Sequence, residues 1–157
     1  MAKPKDCPCH SGARYAACCG RFHAGEAPET PEQLMRSRFS AFALGLGEYL
    51  AETLAGDHPD QGLPRAELVR ALSTAKERQR FLGLRIVHHR HDEKRGEVLF
   101  VARVYGRGED QSFAELSEFV REDGRWRYAS GTLLPTARLP RDPSTLTLED
   151  FFVLSAG

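Results

Sequence analysis

The sequence predicts an α+β fold, in which helices pack on a curved antiparallel sheet behind a small cysteine-rich unit. Apolar residues recur at helical spacing across residues 31–75, and their period becomes twofold from residue 81. An Asp-Gly pair at 123–124, flanked by β-rich segments, adds a hairpin. A block of helices followed by a meander of antiparallel strands is typical of the α+β class.

The helical block begins with a capped helix. Thr30 is an N-cap, Pro31 suits the first helical position, and Gln33 completes a capping box. Gly45 and Gly47 are expected to interrupt this helix before a second helical stretch. The helix that begins at Pro31 has one apolar stripe, whose members recur at intervals of four, three and four residues: Met35, Phe39, Phe42 and Leu46.

The strand block begins with an alternating segment. It is expected to place His88 on the same face as Ile86, with His89 and His91 on the opposite face. The spacing of His89 and His91 suits a metal, but a third ligand is not evident, so a solvated strand end is the preferred interpretation. Residues 98–105 are apolar on both faces, which is typical of a central strand.

The Asp123-Gly124 turn fixes a pairing register between the last two strands, with Ser117 opposite Ser130 and Glu115 opposite Thr132. Aromatic residues beside a carboxylate on one sheet face are more typical of a pocket lining than of a dry core. The alternatives are a partly solvated face near a sheet end, and a bulge that shifts the register. The face in question contains Phe113, Glu115, Ser117, Phe119, Trp126, Tyr128, Ser130 and Thr132.

A pocket on this face would have two candidate functional side chains. Glu115 could act as a base among aromatic residues, and Arg38, at the edge of the helix stripe, could hold an anion. The other interpretation is that both side chains form a structural ion pair or face solvent. The predicted pocket residues are Arg38, Glu115, Ser117, Trp126 and Tyr128.

All four cysteines lie in the segment CPCHSGARYAACCG, residues 7–20. A disulfide is disfavoured because two of them are adjacent, and a redox pair would need a two-residue spacer that the segment lacks. The segment instead contains two short ligand pairs joined by a turn, as in four-thiolate zinc sites. His10 in place of one thiol is the alternative, although an exposed turn residue is the commoner case. The predicted zinc ligands are Cys7, Cys9, Cys18 and Cys19.

The metal would act as the core of this segment, which buries too little apolar surface to fold unaided. A short helix over residues 13–17, capped by Ser11 and ended by Gly20, is expected to carry the second ligand pair. A closed four-thiolate site leaves no position for a substrate, so no catalytic residue is predicted there. The negative charge of the site is expected to be offset by Lys3, Lys5, Arg14 and Arg21.

Composition excludes several classes of function. A hydrophobic content of 41% and a charged content of 28% are those of a soluble globular protein, and the longest apolar runs are too short to cross a bilayer. Lys plus Arg and Asp plus Glu balance at 22 each, so bulk charge gives no general affinity for nucleic acid. The amino terminus lacks the apolar stretch of a secretory signal, so we expect a cytoplasmic protein with reduced thiols and no membrane contact.

The cysteine segment resembles the SEC-C zinc-binding motif. The resemblance is carried by the pattern C-x-C-x8-C-C together with Pro8, Ser11-Gly12 and Tyr15. The same motif occurs at the carboxyl end of the bacterial preprotein translocase motor ATPase, where it serves partner binding. Two positions depart from the motif: His10 stands where glycine is usual, and Cys19 stands where some members have histidine.

The rest of the chain resembles the YchJ family of uncharacterised bacterial proteins. The resemblance is carried mainly by LMRSRFSAF at 34–42, FLGLRI at 81–86 and ELSEFVREDGRWRYASG at 115–131. It implies a nuclear transport factor 2-like, or cystatin-like, cone and no established activity. Members commonly carry a second cysteine motif at the carboxyl end, which this chain lacks. The implied organisation is a zinc knuckle at 1–25, the cone at 26–137, and a tail at 138–157 that docks on the domain or on a partner subunit.

Two functions of different classes are consistent with these expectations. The favoured one is a non-enzymatic adaptor whose knuckle contacts a protein partner; RNA or the ribosome is a variant, with Tyr15 and Phe22 at hand for base stacking. The second is a small-molecule-binding protein or enzyme that uses the interior of the cone, with Arg38 and Glu115 as its functional residues. A homodimer through the sheet is compatible with either function.

Overall fold

The computed structural model describes residues 4–156, so the outer ends of the first and last predicted segments, residues 1–3 and 157, lie outside the described residues. The helices are α1 (Cys19–His23), α2 (Pro31–Leu44), α3 (Gly47–Glu52), α4 (Arg65–Ser73), α5 (Ala75–Arg78) and α6 (Leu148–Ser155). The strands are β1 (Gln79–His91), β2 (Arg95–Gly106), β3 (Glu109–Asp110), β4 (Phe113–Glu122) and β5 (Arg125–Leu134). This arrangement confirms the predicted α+β class.

Helix α2 begins and ends at the residues that the sequence indicates. The Thr30 hydroxyl accepts the backbone N–H of Gln33 at 3.1 Å, which caps the first turn. The Gln33 side chain accepts the N–H of Glu29 at 2.7 Å rather than that of Thr30, so the reciprocal bond of a capping box is displaced by one residue. The helix ends at Gly45, whose φ of 73° is the left-handed conformation that glycine adopts without strain.

The sheet has the order β1-β2-β4-β5 with antiparallel pairing throughout, and β3 pairs with β2 outside this path. Strand β2 is central and covered on both faces, because its side chains alternate between two apolar clusters. The inner cluster lies under α2 and includes Leu34, Met35, Phe39, Val98, Phe100, Ala102, Val104, Phe119 and Trp126. The outer cluster lies under the carboxyl-terminal segment and includes Leu99, Val101, Ala114, Leu134, Leu146 and Phe151.

The carboxyl-terminal segment covers the outer face of the sheet. Thr147 and Asp150 form a complete capping box that starts α6, and Phe151 is 1% exposed in the outer cluster. Arg85 of β1 donates to the carbonyls of Pro143 and Leu146 at 3.1 and 2.9 Å, so the sheet also holds the segment by its backbone. No helix among residues 4–156 is long and apolar enough to span a bilayer.

Strand β1 contains two bulges that the alternating pattern does not reveal, at Leu82 and Val87. A bulge inserts one residue and so reverses which face the following side chains occupy. The predicted placement of His88 beside Ile86 is therefore wrong. His88 Nε2 lies 2.9 Å from Glu97, whereas His89 contacts Glu32 of α2 at 3.1 Å.

The hairpin of β4 and β5 follows the predicted register near its turn and departs from it farther away. Phe119 lies opposite Tyr128 as predicted, but a bulge at Ala129 shifts the register. Ser117 is therefore opposite Gly131 and Glu115 opposite Leu133, which corrects the predicted pairs with Ser130 and Thr132. Beyond the bulge, the side chains of Ser130 and Thr132 are exposed to solvent.

Candidate metal centre and ligand cavity

The four cysteine sulfurs form one compact group. The Sγ atoms of Cys7, Cys9, Cys18 and Cys19 all lie within 4.8 Å of one another, and Cys9 and Cys18 are 3.6 Å apart. Tetrahedral zinc with Zn–S bonds of about 2.3 Å would place its sulfur ligands about 3.8 Å apart. The donor set and its dimensions therefore fit a zinc-like metal ion. In the described part of the chain no other histidine, cysteine or acidic group of three or more residues has this arrangement.

The backbone of the segment is folded by tight turns rather than by the predicted helix over 13–17. A 3-10 turn covers Tyr15–Ala17, and α1 begins at Cys19, so Gly20 lies inside a helix instead of ending one. Gly20 is required by close approach, since a Cβ atom there would lie 2.7 Å from the Tyr15 carbonyl. Gly20 is therefore needed for its close contact with Tyr15 and not, as predicted, to end a helix.

One cation in contact with the cysteine group, Arg36, was not predicted from the sequence. Arg36 of α2 places Nη1 4.0 Å from Cys9 Sγ and 3.4 Å from the Cys9 carbonyl, and its Nε pairs with Glu32 at 3.1 Å. Hydrogen bonds from the Cys19 and Cys7 thiols lower the pKa of Cys9, which favours a thiolate beside Arg36. Of the cations expected to offset this charge, Arg21 donates from Nε to the Cys18 carbonyl at 3.4 Å and pairs through Nη1 with Glu26. Lys3 lies outside the described residues.

His10 is not in the sulfur group and faces the main domain. Its Nε2 lies 3.1 Å from the carbonyl oxygen of Phe81, and its ring meets Phe39 edge-on at 6.0 Å. Its φ of 61° is left-handed, which explains why glycine is usual at this position of the motif that the segment resembles. Thus His10 joins the cysteine turn to α2 and β1.

Another histidine, His23, which the sequence did not indicate, holds α1 against α2. His23 Nε2 lies 2.8 Å from the Ser37 carbonyl, which can only accept, so this nitrogen donates. Nδ1 then accepts the Tyr15 hydroxyl at 2.6 Å. Burial lowers the pKa of His23, which favours this neutral ring. Tyr15 and Phe22 are both buried, so neither can stack on a nucleic-acid base.

A cavity of about 350 Å³ lies between the inner face of the sheet and the helices. Its apolar lining is Met35, Phe39, Phe42, Leu54, Leu72, Phe81, Phe100, Phe113 and Phe119. Its polar lining is Arg38, His58, Asp60, Glu115, Ser117 and Tyr128. Of the pocket residues predicted from sequence, Trp126 lies elsewhere: it is 2% exposed in the inner core, and its Nε1 donates to the Glu29 carbonyl at 3.1 Å.

Arg38 is a buried cation that lines this cavity. Its Nη1 donates to the Leu50 carbonyl at 2.7 Å and to the Thr53 hydroxyl at 2.5 Å, and its guanidinium lies 4.8 Å from the centre of the Tyr128 ring. Nε and Nη2 have no protein partner among residues 4–156, and no carboxylate lies within 4.0 Å. Burial lowers the pKa of Arg38 to about 10, so the side chain remains charged near neutral pH.

Glu115 contacts the hydroxyl of Tyr128. The hydroxyls of Ser117 and Tyr128 both donate to its Oε2, the latter at 3.0 Å. Gly131 makes room for this group, because a Cβ atom there would collide with the carboxylate and lie 2.7 Å from the Tyr128 hydroxyl. Burial raises the pKa of Tyr128, so the phenol remains a donor.

His58 and Asp60 complete the polar lining from the loop between α3 and α4. The Asp60 backbone N–H donates to His58 Nδ1 at 3.1 Å, which leaves the proton of the neutral ring on Nε2. The His58 ring lies 5.8 Å from that of Tyr128. Nothing local in the sequence indicates that this stretch folds over the sheet.

Comparison with known proteins places these features in a family. The model of the YchJ middle NTF2-like domain matches residues 30–131. A UPF0225 protein of Deinococcus radiodurans is 43% identical over 127 residues, covering 79% of this chain and 86% of its own. The solution structure of a SEC-C motif containing protein from Rhodopseudomonas palustris has a TM-score of 0.68 and 35% identity, covering 80% of this chain and 95% of its own. A SEC-C motif containing protein from Psychrobacter arcticus has the same fold at 24% identity and a TM-score of 0.65, covering 92% of each chain. The family expected from the sequence is thus confirmed: the chain belongs to the YchJ, or UPF0225, family.

Proposed function

We propose that the protein binds a small, largely apolar anion in the cavity of its main domain, and that its cysteine group holds zinc as a structural element. The observation that carries the proposal is Arg38, a cation that is 8% exposed, lines the cavity and has no carboxylate within 4.0 Å in the part of the chain that the structure describes. Burying a charge without a partner costs several kcal/mol. A ligand anion would supply the missing partner.

The chemistry of Arg38 suits an oxyanion. A guanidinium presents donors in a rigid fork that matches a carboxylate or phosphate. In Arg38 one arm of the fork is anchored on Leu50 and Thr53, and the face of the guanidinium rests on Tyr128. The remaining donors are therefore held in place before a ligand arrives, which lowers the entropy cost of binding.

The remainder of the cavity suits an apolar ligand body. Aromatic and aliphatic side chains form most of the lining, and the volume of about 350 Å³ is at the small end of the range for small-molecule sites, roughly 300–1,000 Å³. A ligand of one or two ring-sized apolar groups with one anionic group matches both the volume and the lining.

Zinc is the metal that the four cysteines favour by chemistry, because four thiolates at tetrahedral spacing form its commonest structural site. Bound zinc would supply folding energy and no reaction, since all its ligand positions would be protein sulfurs. The chain's own residues then fix the segment on α2: Cys7 Sγ lies 3.5 Å from the Ser40 hydroxyl, and Arg36 contacts Cys9.

Contact of the knuckle with a macromolecule, favoured from the sequence alone, stays a prediction. The aromatic side chains that were expected to serve it, Tyr15 and Phe22, are buried. Three of the four cysteines are buried as well, and the segment packs on α2. These observations favour a structural role for the knuckle and a binding role for the cavity.

Calorimetric titration with hydrocinnamate and with its neutral amide tests the proposal. We expect the acid to bind and the amide to bind at least ten times more weakly, because only the acid pairs with Arg38. Arg38→Gln should abolish the difference, whereas the exposed Arg70→Gln, which has no place in the cavity, should preserve it. Equal binding of acid and amide, or binding of neither, would overturn the proposal. Metal analysis of the purified protein should give one zinc per chain.

A further inference from the structure

We propose that the ligand carries, beside its anionic group, a hydroxyl or ammonium that donates a hydrogen bond to Glu115. This inference rests on the proposed function and narrows its ligand class to apolar hydroxy acids or amino acids. It follows from an unequal use of the two Glu115 oxygens and from the position of Glu115 relative to Arg38.

Two of the charged side chains that line the cavity, Arg38 and Glu115, contact different parts of the Tyr128 side chain. Arg38 lies over the face of the Tyr128 ring, with its guanidinium carbon 4.8 Å from the ring centre. Glu115 lies at the far end of the same ring, 3.0 Å from the hydroxyl. Both line one cavity and form no salt bridge with each other, so a ligand that carries an anionic group and a hydrogen-bond donor can contact both.

Glu115 is built to accept from a ligand. Both protein donors, Ser117 and Tyr128, point at Oε2, while Oε1 has no partner among residues 4–156. An ionised carboxylate can only accept hydrogen bonds, and each oxygen has room for two. The group that meets Oε1 must therefore be a donor. The two hydroxyls and the space left by Gly131 hold the carboxylate in position for it.

A simple acid would satisfy only half of this site. Its carboxylate would pair with Arg38 but would leave Glu115 as a like charge in the same low-dielectric space. A hydroxyl or ammonium beside the acid removes that conflict, since it gives Glu115 a partner. A hydrogen bond to a charged group contributes about 1.5–3 kcal/mol, which corresponds to a gain in affinity of roughly tenfold or more.

Four compounds that share one phenyl group separate the contributions: hydrocinnamate has only the acid, phenyllactate adds a hydroxyl, phenylalanine adds an ammonium, and phenethylamine has only the ammonium. Each is titrated calorimetrically into the 157-residue chain loaded with zinc. We expect phenyllactate or phenylalanine to bind at least tenfold more tightly than hydrocinnamate, and phenethylamine to bind more weakly than all three acids. The better of the two identifies the donor as hydroxyl or ammonium.

The variant Glu115→Gln should reduce the advantage of the donor-bearing acid and leave hydrocinnamate binding equal or tighter. Glu118→Gln is the matched control, because Glu118 is exposed on the same strand and accepts from Ser130 outside the cavity. Equal affinity of the three acids for the unaltered protein would overturn this inference while leaving the proposed anion site intact. Tightest binding of phenethylamine would overturn it too. Failure of every acid to bind would overturn both.

Discussion

His10 connects the cysteine group to the wall of the cavity through the carbonyl of Phe81, 3.1 Å from its Nε2. Phe81 lines the cavity, and so does Phe39, against which the His10 ring packs. His10 directly follows Cys9, so the turn that would wrap the metal also supports the two aromatic rings. The cysteine group and the cavity are therefore joined through one residue, His10.

Removal of the metal should weaken ligand binding. Without a metal the cysteine turn loses its fixed geometry, and the support of Phe39 and Phe81 by His10 loosens. We expect the Kd of hydrocinnamate to rise severalfold after chelation, as measured by calorimetry. Linkage requires the ligand to raise metal affinity by the same factor. His10→Gly keeps the four thiols and suits the left-handed backbone, so it should retain metal and show a smaller effect; an unchanged effect would mean that another path couples the sites.

Replacement of one cysteine by serine should release the metal and destabilise the fold. Cys19 is the suitable position, because it is 1% exposed and begins α1. Loss of a structural zinc removes a contribution of up to roughly 10 kcal/mol, so we expect Cys19→Ser to lose stoichiometric metal and to lower the Tm by more than 10 °C. Metal analysis and thermal melting check this. Ser11→Ala is the control: it removes a hydroxyl that lies 3.2 Å from Cys18 Sγ but keeps all four sulfurs, so it should retain the metal.

Sequence reasoning identified those features of this protein whose cause is local. The caps of α2, the Asp123-Gly124 turn and the cysteine cluster each depend on residues close together in the chain. The bulges at Val87 and Ala129 depend on what neighbouring strands and helices require, so alternation alone could not place them. The sequence assigned no role to His58, Asp60, His23 or Arg36 for the same reason, since only the folded chain brings them to the cavity or to the cysteine segment.

Protonation of His23 should lower the free energy of unfolding as the pH decreases. Burial lowers its pKa in the folded protein, whereas the unfolded chain titrates near 6.5. Below about pH 6.5 the unfolded state therefore binds more protons than the folded state, and stability decreases as pH falls through this range. We expect His23→Gln to flatten the Tm profile between pH 8 and 5 relative to the unaltered protein. His91→Gln is the control, because His91 is exposed and has no carboxylate within 4.0 Å among residues 4–156. Equal slopes for all three proteins would contradict the assignment.

Gly131→Ala should disturb the cavity and the fold together. A Cβ atom at this position would collide with the Glu115 carboxylate and approach the Tyr128 hydroxyl to 2.7 Å, so both side chains must move. Overpacking of this kind costs about 1–3 kcal/mol, which predicts a Tm lowered by several degrees. Compared with the unaltered protein, the variant should lose more affinity for phenyllactate than for hydrocinnamate. Gly62→Ala is the matched control, because a Cβ atom at Gly62 meets nothing within 4 Å. If both variants melt and bind alike, Glu115 does not depend on the space at Gly131.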